Sequence, residues 1–255
     1  MIMRKIDELE AYIFQKESTS TKDLMTEFSL SESTVRRYLT TLMQKGSIEK
    51  EYGMVSAKKE DQLLKFTIRM NVESEKKNEI ALLALDRIKD NETIFIDSGT
   101  THMPLIELLK ERKGLIIVTN NVLFALQSVG LQKLHKIILI PGSVNDHTLS
   151  VTGESAMIFL EDYHFDKGLF TASGISLERG FTNRTLPERD IKTFVRKRTE
   201  HAYLLADDTK FHKTFPFSFG KLSDMEEILT NKPLSKKEQQ SFGKHGAAIT
   251  FPTEE

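Results

Sequence analysis

Two rhythms of hydrophobic and polar positions divide the chain. Ile6, Leu9, Tyr12 and Ile13 recur at three- and four-residue steps, which predicts a helix with one buried face. Ser20 is placed to cap a second helix, with Asp23 at its third position, where a carboxylate also suits the helix dipole. Leu24, Met25 and Phe28 then face inward. Ser29-Leu30-Ser31 reads as a turn, and Ser31 caps a third helix that carries Val35, Leu39, Leu42 and Met43 and stops at Gly46. Residues 47–55 alternate and contain Gly53, which predicts a small hairpin.

The stretch Ala57-Lys58-Lys59-Glu60-Asp61-Gln62 has no apolar face and reads as a hinge; Phe66 to Asn71 reads as a short extended piece. From Ser74 the rhythm changes. A helix through Ile80, Leu82, Leu83, Leu85 and Ile88 leads to a strand at 93–97. Helix 103–110, strand 115–119, helix 122–129 and strand 136–141 follow. Further strands fit 168–171, 202–206, 227–230 and 247–251, with a helix around 187–199. Short apolar strands alternating with amphipathic helices predict an open, largely parallel sheet. The resulting organisation is 1–57, an α+β winged helix-turn-helix; 58–72, a hinge; and 73–255, an α/β domain with a largely parallel sheet.

Composition narrows the chemistry. The 255 residues include no cysteine, which excludes disulfides, thiolate metal sites and thiol nucleophiles. With 29% charged and 39% hydrophobic residues the chain reads as globular rather than disordered. The first residues turn acidic where a secretion signal needs its apolar run, and Leu115–Val118 and Ile137–Ile140 are too short to span a bilayer, so a soluble, cytoplasmic protein is expected. The seven histidines never fall at metal-ligand spacing, so no metal is expected. Lys and Arg number 36 against 37 Asp and Glu, so the chain is no polycation that coats nucleic acid. Residues 1–58 are themselves balanced, with nine basic and nine acidic side chains; only 31–50 is locally positive. Each such module would bind DNA modestly, and two linked modules are needed.

In Ser31-Glu32-Ser33-Thr34-Val35-Arg36-Arg37-Tyr38-Leu39, Val35 and Leu39 bury together and leave Ser33, Thr34, Arg36 and Arg37 outward. A helix entering the major groove needs such small hydroxyls for close approach and arginines that fork onto guanine or clamp phosphate. Ser31 at the helix start, Lys45 at its end and Lys50 on the wing complete the candidate DNA-binding set, Lys45 serving either a backbone phosphate or solvation of the helix end. This segment resembles the DeoR family of bacterial sugar-operon regulators, whose recognition helix reads S-x-x-T-[IV]-R-R-D-L. Tyr38 stands where the family has Asp, and Glu51-Tyr52-Gly53 where its wing has His-Gly-Gly.

In the second half, strand Ile94-Phe95-Ile96 runs into Asp97-Ser98-Gly99-Thr100-Thr101. Such a turn at the carboxyl end of a strand offers N–H groups and hydroxyls to one point, which suits a phosphate. Other strand ends offer Thr119 and Asn120, Gly142, and Asp207-Asp208-Thr209-Lys210. Lys210 could neutralise a phosphate, and Asp207 or Asp97 could accept hydroxyl bonds from a sugar. His102 serves either the helix start or a ligand. The Phe-rich segment with Phe211, Phe215, Phe217 and Phe219 reads as a lid or a subunit contact.

This half also resembles the DeoR-family sensor domain: K-x-x-I-A at Lys77, Ile80 and Ala81; D-S-G-T-T at 97–101; T-N at Thr119 and Asn120; a turn glycine at Gly142; D-x-x-F at Asp166, weakened to Lys167-Gly168-Leu169; G-I…G-x-T at Gly174, Ile175, Gly180 and Thr182; Glu188; and D-x-[ST]-K at Asp207, Thr209 and Lys210. The resemblance implies a fold shared with ribose-5-phosphate isomerase and glucosamine-6-phosphate deaminase. It also implies a phosphorylated sugar as effector rather than cofactor, bound by Lys77, Asp97, Ser98, Gly99, Thr100, Thr101, Thr119, Asn120, Gly142, Glu188, Asp207 and Lys210. Asn231 replaces the family's usual aspartate after Thr230, and Pro141-Gly142 a common Gly-Gly.

Sugar-phosphate isomerases need a carboxylate base at the substrate carbon, and the comparable strand end, Phe170-Thr171-Ala172-Ser173-Gly174, has none. With the attached helix-turn-helix, this favours a regulator over an enzyme. The expected partners are double-stranded operator DNA, a phosphorylated sugar and further copies of the chain, with no membrane. The expected action is repression released by the effector; an isomerase or deaminase with an accessory domain, and an activator or corepressor-dependent regulator, are the alternatives. A coupling of about 1–3 kcal/mol would change operator affinity roughly 5- to 150-fold.

Overall fold

The structure is a computed structural model that describes residues 5–16, 18–44, 46–51, 53–57, 66–71 and 73–253. The chain forms two compact units, Met1–Val72 and Glu73–Glu255.

The first unit contains α1 (Lys5–Lys16), β1 (Ser18–Ser20), α2 (Thr21–Phe28), α3 (Glu32–Gln44), β2 (Ile48–Glu51), β3 (Met54–Ala57) and α4 (Phe66–Asn71). Ser20 starts α2 as expected: its hydroxyl accepts the Asp23 N–H at 3.1 Å, and the Asp23 carboxylate accepts from the Ser20 N–H at 3.3 Å. Leu9, Ile13, Leu24, Val35, Leu39, Leu42, Ile48 and Val55 form one core. The hairpin is antiparallel, Ile48 to Glu51 against Ala57 to Met54, and β1 adds a third strand beside β3 that the short Ser-Thr-Ser segment did not announce. Residues 66–71 are helical rather than extended, because Phe66 buries its ring as α4 packs on α1. Lys58 to Lys65, the greater part of the expected hinge, lie outside the described residues.

The second unit contains α5 (Ser74–Leu85), β4 (Thr93–Ile96), α6 (Leu105–Leu108), β5 (Ile116–Thr119), α7 (Val122–Gln127), β6 (Lys136–Leu139), β7 (Ser143–Asn145), β8 (Ser150–Thr152), α8 (Glu154–Leu160), β9 (Phe165–Phe170), β10 (Gly174–Ser176), β11 (Gly180–Asn183), α9 (Leu186–Arg196), β12 (Thr199–Leu205), β13 (Phe217–Gly220), β14 (Glu227–Leu229), α10 (Lys236–Lys244) and β15 (Ala248–Thr250). Seven strands form an all-parallel sheet in the order β15-β14-β12-β9-β4-β5-β6. Phe95, Phe165 and Phe170 meet in its core, with ring centroids 5.5 and 6.2 Å from Phe95. The helix expected at 103–110 is broken into a 3-10 turn at Thr100–His102, a single α turn and a second 3-10 turn, with Pro104 between the first two. The β7–β8 hairpin and the sheet β10-β11-β13 are additions to the expected alternation. Phe211 and Phe219 are core residues, packing on Phe242 and Phe181, so these two are neither lid nor contact patch.

The chain runs from β4 outward to β5 and β6 and then returns to place β9 on the other side of β4. This reversal makes the carboxyl ends of β4 and β9 a topological switch point, where open parallel sheets leave a crevice. Among the described residues no helix is long and apolar enough to cross a membrane.

Candidate functional site

The outer face of α3 is assembled as a groove-reading surface. Ser33, Arg36, Arg37 and Thr40 are exposed while Val35, Leu39 and Leu42 are buried. The Ser31 hydroxyl accepts the Thr34 N–H at 3.3 Å and lies 3.0 and 2.9 Å from the Ser33 and Thr34 hydroxyls, so it caps the helix and organises its first turn. Arg36 is held by Glu32 at 2.6 Å, and the Arg37 guanidinium lies 5.5 Å from the Tyr38 ring centroid. Both remain open to solvent, where such tethers are weak and readily exchanged for phosphate or base. Lys50 is exposed on the wing strand; Lys45 lies outside the described residues.

At the switch point the Asp97 carboxylate is fully buried. It accepts the Gly99 N–H at 2.9 Å, the Thr171 N–H at 2.8 Å and the Thr171 hydroxyl at 2.9 Å, and it pairs with the Lys192 ammonium. Lys192 also donates to the Thr171 carbonyl at 2.8 Å, and the His102 Nδ1 lies 3.2 Å from the carboxylate. Burial alone would raise the Asp97 pKa; Lys192 and then His102 outweigh it and hold the group well below the usual carboxylate range. Asp97 is therefore an anchor for the turn rather than an open acceptor for a sugar hydroxyl. Gly99 is required by close approach: a Cβ there would stand 2.2 Å from the Thr171 side chain.

Around this anchor the remaining candidates divide into committed and open groups. The Thr119 hydroxyl donates to the Ile96 carbonyl at 2.6 Å and accepts the Asn121 N–H, so it fastens β5 to β4. One oxygen of Asp207 caps its own turn through the Thr209 N–H at 2.9 Å, and the other stands 3.5 Å from Lys210. Glu188 accepts from Asn183 at 3.1 Å and from Thr185 at 2.9 Å. Gly142 is exposed with φ 144°, and a Cβ would meet the Thr152 carbonyl at 2.4 Å. Lys77 is buried on α5. By contrast, Ser98, Thr100 and Thr101 are buried residues whose hydroxyls make no hydrogen bond within the protein among the described residues. Asn120 Oδ1, His102 Nε2 and Thr230 Oγ1 are buried without a partner there. Hydroxyls and unpartnered polar atoms after the neighbouring strands β4 and β5 suit a ligand rich in hydrogen-bonding groups, whereas Thr230 follows β14, which β12 and β9 separate from β4.

Thr171 and Lys192 were not among the sequence candidates. Lys192 lies four residues after Glu188 on the same face of α9 as buried Val195, and a lysine on an otherwise inward arc was the available signal.

Two family descriptions match this arrangement: "DeoR-like helix-turn-helix domain" over residues 5–61 and "DeoR C terminal sensor domain" over residues 72–232. The chain belongs to the DeoR family. It is 31% identical to the HTH-type transcriptional regulator IolR of Bacillus subtilis over 98% of this chain and 99% of that one. To the glycerol-3-phosphate regulon repressor of Escherichia coli it is 26% identical, covering 86% of each chain. Among solved structures, ribose 5-phosphate isomerase A from Methanocaldococcus jannaschii aligns with a TM-score of 0.40 and 14% identity, covering 59% of this chain and only 56% of that one. Membership places this DeoR-family chain among transcriptional regulators rather than enzymes. Two departures from the family pattern have structural places. Tyr38 is half-buried against the core of the first unit, and the Asn231 carbonyl oxygen accepts the Asp208 N–H at 2.8 Å.

Proposed function

We propose that this protein is a repressor of an operon for sugar or polyol use, released when a phosphorylated sugar or polyol binds at the strand ends beside Asp97. The observation that carries the reading is the set of uncommitted hydroxyls of the buried residues Ser98, Thr100 and Thr101, held on a turn fixed by the Asp97–Lys192 pair at the switch point of the sheet. Hydroxyls and turn N–H groups recognise phosphate oxygens, and the unpartnered Asn120 and His102 atoms suit the hydroxyls of the carbon chain. The name of the Escherichia coli relative, a repressor of a glycerol-3-phosphate regulon, supports a phosphorylated effector. The exposed Ser33, Arg36 and Arg37 face reads operator DNA in the cytoplasm, and two copies engage repeated half-sites. Lys210, close to the protein surface beside Asp207, contributes a cation to the same crevice, and no cofactor is needed.

A thermal-shift screen against hexose 6-phosphates, pentose 5-phosphates and glycerol 3-phosphate tests this, followed by fluorescence anisotropy on operator DNA. The expected result is a stabilising phosphorylated compound that also releases DNA, with its dephosphorylated counterpart inactive. Stabilisation by none of them, or equal stabilisation by the unphosphorylated forms, would overturn the phosphate reading.

A further inference from the structure

Glu73 is the first residue of the second unit and stands between two helices, since α4 ends at Asn71 and α5 begins at Ser74. Its backbone is left-handed, with φ 56° and ψ 39°, a conformation that a glutamate rarely adopts unless its surroundings hold it there. Lys76, on the first turn of α5, supplies such a hold. Its ammonium lies 2.8 Å from the Glu73 carboxylate and 2.9 Å from the Asp208 carboxylate. No side chain of these three is more than 28% exposed, so salt screens them less than a surface pair. Burial works against the Lys76 charge, but hydrogen bonds to Glu73 and then Asp208 outweigh it and raise the pKa, so the bridge stays charged.

The far end of the bridge belongs to the candidate effector site. Asp208 opens the 3-10 turn Asp208–Lys210, which Asp207 caps by accepting the Thr209 N–H at 2.9 Å. The second oxygen of Asp207 stands 3.5 Å from the Lys210 ammonium. A ligand phosphate that takes Lys210 competes with Asp207 for it, so the carboxylate that caps the turn must adjust, and Asp208 with it. Whatever the sensor transmits along the chain to the DNA-binding unit passes through Glu73, which only Val72 separates from α4.

We propose that Asp208, Lys76 and Glu73 form a clamp that couples effector binding to operator release. Closed, as described here, the clamp keeps Glu73 in the backbone conformation that suits operator binding. Opened at Asp208 by the effector, it frees Glu73 to act as a hinge. The clamp takes its sign from the repressor function proposed above and adds a route to it.

Fluorescence anisotropy of the full chain on operator DNA, first without any ligand, tests the clamp. Lys76→Met is expected to weaken binding about tenfold, inside the roughly 5- to 150-fold span of allosteric couplings. Glu73→Gly, which accepts the left-handed backbone and deletes the carboxylate, is expected to weaken it by a similar factor. These two substitutions change the charge in opposite senses, so a general electrostatic effect on DNA affinity would move them in opposite directions. The double variant is expected to bind no more weakly than either single one, because both open the same clamp. Lys232 pairs with Asp208 at 2.6 Å from the turn after β14. Lys232→Met makes the same charge change as Lys76→Met, yet is expected to stay within about twofold of the wild type.

Wild-type affinity in Lys76→Met or Glu73→Gly overturns the proposal. So does a Lys232→Met as weak as Lys76→Met, or a double variant that multiplies the two losses. Hexose 6-phosphates, pentose 5-phosphates and glycerol 3-phosphate are then added. A compound that stabilises the wild type in a thermal shift is expected to stabilise Lys76→Met as well and to release little further DNA from it; a release as large as in the wild type also overturns the clamp. If none of these compounds shifts the wild type, the effector reading fails, while the affinities without ligand still decide the clamp.

Discussion

Lys192 places its ammonium on the Asp97 carboxylate with neither side chain more than 4% exposed, and this pair joins α9 to the turn after β4. Removing one partner leaves a buried, uncompensated charge, which costs about 3–5 kcal/mol. Lys192→Met is therefore expected to lower the stability of the sensor unit by that order, measured as a shift in its urea midpoint. Lys192→Met with Asp97→Asn removes both charges and recovers a substantial part of the loss. A double variant as unstable as the single one would show that the ion pair is not what holds the turn.

The same pair fixes a pH dependence. Asp97 has a folded pKa depressed below its ordinary value. Its contribution is therefore fully present above the unfolded pKa of about 3.9 and is lost as pH falls towards the lower folded value. Wild-type stability is expected to decline on acidification from about pH 5, and Asp97→Asn is expected to flatten that limb. Urea midpoints from pH 3 to 7 decide it; an equally steep acid limb in the variant assigns the dependence to other carboxylates.

Gly99 holds the close approach of the two strand ends. The Cβ of alanine would fall 2.2–2.7 Å from three atoms of the Thr171 side chain, and Thr171 cannot withdraw without releasing Asp97. Overpacking of this kind costs about 1–3 kcal/mol. Gly99→Ala is expected to lose that much stability and the thermal shift with the effector, while operator binding persists. An unaltered ligand response would mean that the turn does not form the binding wall.

What was legible in the sequence follows from how local each signal is. Ser20 with Asp23, Val35 with Leu39, and the strand Ile94–Ile96 lie within a few residues of one another, and the capping box, the inward helix face and the buried strand all appear where periodicity and capping chemistry put them. The candidate site was legible as a strand-end turn but not as an assembly. Asp97 depends on Lys192, 95 residues later, and no spacing rule brings the two together. Thr119 presented a hydroxyl at a strand end like those of Thr100 and Thr101, yet only the neighbouring strand reveals that it is tied to the Ile96 carbonyl. Residues 66–71 contain Phe, Thr and Ile, types that favour strands, and packing of Phe66 against α1 overrides that preference.

On the DNA-facing unit, Arg36 is tethered to Glu32 while Arg37 is not ion-paired among the described residues. Each arginine that forks onto a base is worth about 1–3 kcal/mol of discrimination. Arg36→Ala with Arg37→Ala is expected to abolish specific operator binding and leave the effector-induced thermal shift intact. Glu32→Gln, which frees Arg36 and removes a negative charge from the interface, is expected to tighten binding severalfold. Anisotropy titrations over a range of salt read both, and unchanged footprinting by the double variant would remove α3 from the recognition role.

Asn231 gives a final test, because its carbonyl oxygen accepts the Asp208 N–H at 2.8 Å next to an ion-pair cluster. Asp208 stands 2.6 Å from Lys232 and 2.9 Å from Lys76. Burial pushes its pKa up, but hydrogen bonds from Lys232 and Lys76 bring it down to about 2. Asn231→Asp keeps an acceptor for the N–H and adds a like charge beside Asp208. The Asp208 pKa is therefore expected to rise, and stability, lost as pH falls through the folded pKa, is expected to be lost at a higher pH than in the wild type. Carboxyl carbon NMR titration of the two proteins measures the shift directly. An unmoved Asp208 would mean that Lys76 and Lys232 screen the new charge completely, and that the asparagine serves only the backbone bond.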